Sequence, residues 1–360
     1  MNQLNIATTY ALKDRFDLFN SHPDIKFYEK LTNTISGCWL VDRTQTVQLP
    51  FRTKLMEKNI LPDLSAVNPI SLDECCIDRS VELLSSNSVL YFLYSGGIDS
   101  TLALTSLIKA GATKDQLIVV CNTDCIRENP NFYNNYIKPS FKLMSSEFFM
   151  QYIRTNTLDG KIVLCEPGDG LYGQYLGSAA FEMFGGPYLR KPATRQNIFD
   201  FFRAKGLEDD VANCCIDVYQ ANINLCPRPI ETLYDFFWWT HFNWRWQYHC
   251  EKLRLRTPLE PEVEAFYATV NFQKWAATHT QYEIKRHSDF KHDYKQLIYE
   301  FTNDQEYFDL KIKHVSTSYF YLTDAFVAIN ADGTKLRPNE FLLMDYYQED
   351  NFIANWISDN

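Results

Sequence analysis

Ser95-Gly96-Gly97-Ile98-Asp99-Ser100 stands between an apolar run, Val89-Leu90-Tyr91-Phe92-Leu93-Tyr94, and an apolar-periodic segment, Thr101 to Ala110, that ends at Gly111. The run is short and unbroken, as in a strand buried on both faces. The segment after it has the helical period, and Gly111 marks its stop. A buried strand, a glycine turn and a helix N-terminus are thus written in consecutive residues, which constrains the chain to an α/β layer arrangement. That geometry aims backbone N–H groups and the positive helix end at one point, which suits an anion such as pyrophosphate. Gly96 and Gly97 let the main chain approach closely. Ser95 and Ser100 add hydroxyl donors, and Asp99 is placed to hold a magnesium ion against the same phosphates. An ordinary strand-to-helix turn capped by Ser100 accounts for the same spacing.

Two further apolar runs extend the pattern. Leu117-Ile118-Val119-Val120 predicts a second buried strand, ending at Cys121-Asn122-Thr123-Asp124. Lys161-Ile162-Val163-Leu164 predicts a third, followed by Cys165-Glu166-Pro167-Gly168-Asp169-Gly170. Strand, helix and strand in this order predict a right-handed parallel unit whose ligands sit beyond the carboxyl ends of the strands. Ser71-Leu72-Asp73-Glu74 fits a capping box for a helix running on through Cys76 to Ser85. Residues 1–70 read as a small N-terminal α+β module, with a short helix at Asp14 to Asn20 and a strand at Cys38 to Leu49 stopped by Pro50. From about Thr194 onward the chain reads mainly helical.

The loop resembles the PP-loop of the ATP pyrophosphatases, enzymes that adenylate a substrate and release pyrophosphate. It is not a Walker loop, since no Gly-Lys-Ser/Thr ending follows. The segment Cys165-Glu166-Pro167-Gly168-Asp169-Gly170-Leu171-Tyr172-Gly173-Gln174-Tyr175 resembles, without a gap, the Gly-Glu-Gly-Ser-Asp-Glu-Leu-Phe-Gly-Gly-Tyr motif of asparagine synthetases. Glu166, Asp169, Leu171, Gly173 and Tyr175 match it, and Tyr172 stands for Phe. Gly170 replaces the motif's second acid and Pro167 replaces a glycine. The resemblance implies a PP-loop parallel sheet with a mainly helical C-terminal half over residues 71–360, ATP and Mg2+ as cofactors, and Asp99 and Asp169 as the two metal carboxylates. It implies that Ser95, Gly96, Gly97 and Ser100 bind the pyrophosphate end, that Asn122 and Thr123 lie near adenosine, and that Glu166 positions or deprotonates an attacking amine.

Lys291-His292-Asp293-Tyr294-Lys295 resembles the family's Lys-x-x-Leu-Arg, and Leu310-Lys311-Ile312-Lys313 its Arg-x-Lys segment. Lys291 and Lys313 are thereby implied as catalytic cations, Lys313 stabilising charge at the acyl-adenylate. Lys295 stands where the family has Arg and lacks the bidentate fork. A solvated, lysine-rich helix face explains the same residues. The family's glutaminase carries a Cys directly after the initiator Met, where this chain has Asn2, and its first Cys is Cys38. The expectation is a synthetase domain without a working glutaminase. It would join a small-molecule carboxylate to an amine or to ammonia, with the oligomeric state left open.

Composition narrows the alternatives. The net charge of −10 argues against a general nucleic-acid binder, without excluding a local basic patch. The ten Cys show no Cys-x-x-Cys, which points to reduced thiols and a cytoplasmic protein. No apolar run is long enough to span a bilayer, and no signal peptide is written at the start. His241, His249, His287 and His292 lack zinc-type spacing. Phe236 to Trp246 is dense in aromatics, as expected for core and also for base stacking. Nucleobase or nucleotide modification, by amination or by thiolation with Cys121 or Cys226 as sulfur carrier, shares the loop. So does NAD-synthetase-like amidation, though it does not predict the Glu166–Tyr175 match. A degenerate, non-catalytic subunit is the remaining reading.

Overall fold

A continuous apolar run predicts a strand covered on both faces, and Leu90, Phe92 and Leu93 are buried in the computed structural model. That structure describes residues 3–6, 42–47, 60–64, 70–86, 88–246, 262–279, 284–311, 325–329 and 356–357. The helix α1 (Leu72–Ser85) leads into strand β1 (Leu90–Leu93), helix α2 (Ile98–Lys109) and strand β2 (Leu117–Cys121). Helix α3 (Thr123–Glu128), strand β3 (Lys142–Ser145), helix α4 (Ser146–Thr155), strand β4 (Lys161–Leu164) and helix α5 (Gly168–Tyr172) follow. Strand β5 (Val263–Ala265) completes a five-stranded sheet in the order β3-β2-β1-β4-β5. Every pairing in it is parallel, with Leu90 opposite both Leu117 and Lys161. The fold is therefore α/β around a parallel sheet. The strand order reverses at β1, so the carboxyl ends of β1 and β4 flank a topological switch point, where such sheets bind their ligands.

The capping box forms as the sequence predicts. The Ser71 hydroxyl accepts from the Glu74 amide at 3.2 Å while the Glu74 carboxylate accepts from the Ser71 amide at 2.8 Å. Helix α2 packs against α1.

The chain divides into two compact units that interleave along the sequence. One unit takes Leu64–Tyr172 and His249–Thr323 and contains the parallel sheet. Its later helices are α10 (Val270–Thr278), α11 (His292–Thr302) and α12 (Gln305–Leu310). The other unit takes Met1–Asp63, Gly173–Tyr248 and Asp324–Asn360. It holds α6 (Gln174–Phe184), α7 (Arg195–Ala204), α8 (Asp209–Gln220) and α9 (Leu233–Trp244), with an antiparallel sheet of strands Gln3–Ile6, Ala325–Ile329 and Trp356–Ile357. Every residue of α9 is buried, so the aromatic segment is core.

The strand predicted at Cys38 to Leu49 is not formed where the structure describes it. Residues 42–47 are a turn. The Asp42 carboxylate accepts from the amides of Thr44 at 3.0 Å, Thr46 at 2.8 Å and Val47 at 2.7 Å, and this local bonding overrides the alternating pattern. The Arg43 guanidinium is buried over the Trp246 ring at 3.9 Å and donates to the Phe242 carbonyl at 3.1 Å. The helix predicted at Asp14 to Asn20 lies outside the described residues. Among the described residues no helix is long and apolar enough to cross a membrane.

Candidate functional site

The loop after β1 turns on Gly96, whose φ is +70°. A Cβ there would stand 2.3 Å from the Cys125 carbonyl oxygen and 2.5 Å from the Glu128 Cβ, so the loop lies directly on the last turn of α3. Gly97 is the N-cap of α2 and offers no side-chain cap to the first amides of that helix. The serines brace the loop. Ser100 Oγ lies 3.0 Å from Ser95 Oγ, accepts from the Ser95 amide at 3.2 Å and donates to the Gly97 carbonyl at 3.1 Å. Ser100 is buried, so its first role is to hold the turn in shape.

Asp99 lies in the first turn of α2, and Asp169 in the first turn of α5, the helix that follows β4. They meet because Gly168 has no side chain, as a Cβ there would stand 2.7 Å from Asp99 Cγ. Between them lies the ammonium of Lys291. Its Nζ donates to Asp99 Oδ1 at 2.5 Å and Oδ2 at 2.6 Å, and also to Asp169 Oδ1. Lys291 is the N-cap of α11 and has left-handed backbone, φ +58°. Its side chain is 4% exposed, against 22% for Asp99 and 53% for Asp169. Burial alone would lower the lysine pKa, but the Asp169 and Asp99 carboxylates outweigh it and the net shift is upward, so the ammonium stays charged.

Tyr267, just beyond β5, ties the two strand ends together. Its hydroxyl donates to the Asp99 carbonyl at 2.8 Å and its amide donates to the Glu166 carbonyl at 3.0 Å. Burial pushes its hydroxyl pKa well up, so it remains a donor. Its ring stacks on Tyr294 at 5.2 Å, and Tyr294 meets Tyr172 edge-on at 5.0 Å. Tyr267 is the residue that the sequence reading missed. Nothing local marks it, because its hydrogen-bond partners Asp99 and Glu166 lie about a hundred or more positions away in the chain. Glu166 sits at the same strand end as Asp169, half-buried.

Asp293, on the first turn of α11, gathers the elements around this cluster. It accepts from the Tyr172 hydroxyl of α5 at 3.2 Å and pairs with His279, which ends α10, at 3.0 Å. Burial would raise its pKa, but His279 and Tyr172 outweigh that and hold the carboxyl below its usual value. A carboxyl depressed in the fold contributes stability above its unfolded pKa of about 4, and that contribution is lost as pH falls through the folded value. We expect Asp293→Asn to lower the urea midpoint at pH 7 and to flatten the loss of stability below about pH 4. An acid limb that matches the wild type would show that these contacts contribute nothing.

Asn122 and Thr123 stand elsewhere, beyond the carboxyl end of β2. Asn122 Oδ1 caps α3 by accepting from the Cys125 amide at 3.0 Å. With Asp124, Tyr133, Met144 and Ser145 these residues line a cleft of about 490 Å³. Lys313 lies outside the described residues. Lys311, two positions earlier, is buried and donates to the Glu128 carbonyl at 2.6 Å and to the Glu128 carboxylate. Burial pushes the thiols of Cys121 up to about 12 and Cys226 to about 11, which leaves both in the poorly nucleophilic protonated form.

Among the described residues no group of three or more His, Cys, Asp or Glu converges as a self-sufficient metal cage. Asp99 and Asp169 offer carboxylate oxygens to one point, which fits magnesium, an ion held by one or two carboxylates together with substrate phosphates. Compared with protein-family models, curated proteins and solved structures, the chain matches none. The resemblance to asparagine synthetases therefore rests on the quoted residues alone.

Proposed function

We propose that the chain is a PP-loop ligase of the asparagine synthetase-like type, one that adenylates a carboxylate with ATP and passes the acyl group to an amine or ammonia. One observation carries this reading. Asp99 from the loop after β1, Asp169 from the helix after β4 and the Lys291 ammonium meet beside a glycine turn at the switch point of a parallel sheet. An ordinary turn needs neither the second carboxylate nor the buried lysine.

In the first step a substrate carboxylate oxygen attacks the α-phosphorus of ATP, the α–β bond breaks and pyrophosphate departs. The Gly96 and Gly97 amides, the N-terminus of α2 and the Ser95 hydroxyl bind the departing group. Lys291 carries positive charge to the same oxygens. Asp99 and Asp169 would hold magnesium, which would supply positive charge to offset that of the polyphosphate. Asn122 and Thr123, in the cleft beyond β2, face the nucleoside. In the second step the amine attacks the acyl carbon, Glu166 accepts its proton, and AMP leaves with the acyl–phosphate electrons. Lys313 keeps the role that the motif implies, countering charge on the adenylate. The protonated thiols of Cys121 and Cys226 speak against sulfur transfer as the second step.

The test is ATP–pyrophosphate exchange over a panel of carboxylates, with amine products read by mass spectrometry. Asp99→Ala is expected to lower exchange by about a hundredfold or more. Undiminished exchange in that variant, with the substrate that supports it in the wild type, would overturn the proposal.

A further inference from the structure

We infer that the Lys291 ammonium is the resident counter-ion of the Asp99–Asp169 pair, and that a divalent cation binds there only by displacing it. The metal and a polyphosphate then have to arrive together, because the polyphosphate is what takes over the displaced ammonium. The inference rests on the adenylation reading for the identity of the incoming anion. The displacement itself does not depend on that reading.

Several features of Lys291 are unfavourable unless the carboxylates sustain them. It is a cation at the positive end of α11, where the helix dipole repels it. It occupies an N-cap position without the short polar side chain that caps a helix. Its backbone is left-handed at φ +58°, a cost for a residue with a Cβ. Its ammonium is buried, where an uncompensated charge is expensive. What offsets all of these is one cluster of contacts, to both oxygens of Asp99 and to Asp169. The chain thus holds the ammonium at the point toward which the oxygen donors converge.

Charge counting gives the order of events. Asp99 and Asp169 contribute −2 and Lys291 contributes +1, so these three groups together carry −1. A free polyphosphate is repelled by that charge. A divalent ion alone is attracted by two carboxylates but repelled by an ammonium already in contact with three of their oxygens. Metal and polyphosphate together satisfy every group. The metal takes the carboxylates, and the flexible lysine stem swings its ammonium to a phosphate oxygen.

The test is Mn2+ binding to the full chain without nucleotide, read by electron paramagnetic resonance of the free ion. Lys291→Met should bind Mn2+ about tenfold or more tightly than the wild type, since a repulsive charge in contact with three carboxylate oxygens is gone. Adding Asp99→Asn to that variant should abolish the gain. Equal affinity in Lys291→Met and wild type, or a gain that survives Asp99→Asn, overturns the inference. Should the Met variant unfold in metal-free buffer, Mn2+ must restore its fold, and failure to do so counts against the inference equally. The two proposals fail separately. A gain in Lys291→Met without exchange in the wild type sinks adenylation alone, whereas exchange without the gain sinks the displacement alone.

Discussion

Gly96→Ala is expected to cost about 3 kcal/mol of stability or more and, under the proposed function, to abolish ATP binding. Two physical effects add. A residue with a Cβ held at φ +70° carries about 1–2 kcal/mol of steric cost. The added methyl would also stand 2.3 Å from the Cys125 carbonyl oxygen and 2.5 Å from the Glu128 Cβ. Neither atom is the free end of a flexible side chain, so the loop or the last turn of α3 has to move, and overpacking of this kind costs about 1–3 kcal/mol. Gly111 is the matched control. It has φ +90° and nothing within 4 Å of an added Cβ, so Gly111→Ala should show the backbone cost alone. Urea midpoints and ATP titration calorimetry on the two variants separate the effects. If both lose equal stability, the close approach of the loop to α3 contributes nothing.

The centre of the sheet was legible in the sequence and its edges were not, for one physical reason. β1 and β2 are written as unbroken apolar runs and β4 as Ile162-Val163-Leu164 behind Lys161, each with buried residues at its centre. β3 lies at one edge with Lys142, Leu143 and Ser145 exposed, and β5 at the other edge is three residues long, too short to show a period. The candidate site divides in the same way. Asp99 was readable from the strand, glycine turn and helix written around it, and Asp169 from the motif that follows the third apolar run. The bond from Lys291 to Asp99 spans 192 positions, and no local pattern encodes such a pairing. Lys291 was reached only through a motif resemblance, and Tyr267, which ties the two strand ends, carries no motif. The strand expected across Asp42 gave way because one carboxylate can satisfy several amides at once, a choice that alternation of apolar and polar residues does not reveal.

Lys311→Met is expected to destabilise the protein by about 3–5 kcal/mol, because it removes a cation in direct contact with a buried carboxylate. The side chains of Lys311 and Glu128 are 6% and 1% exposed, so little water can replace the lost partner. Lys311 also holds the Glu128 carbonyl at 2.6 Å, so one ammonium serves both acceptors of the residue that ends α3. The double variant Lys311→Met/Glu128→Gln removes both members of the pair and should be less destabilised than the sum of the single variants, with a coupling of about 1–3 kcal/mol. Lys142 and Asp115 provide the contrast. That pair stands 3.1 Å apart with side chains 59% and 76% exposed, and Lys142→Met should cost less than about 1 kcal/mol. The buried pair also bears on the glycine loop, because Glu128 is one of the two residues on which Gly96 rests. Nucleotide affinity should therefore fall in Lys311→Met and recover in part in the double variant, even though neither residue belongs to the proposed phosphate cradle. A loss in Lys311→Met no larger than that in Lys142→Met would mean that the clamp does not hold α3, and the loop would then owe its shape to the serine bonds alone.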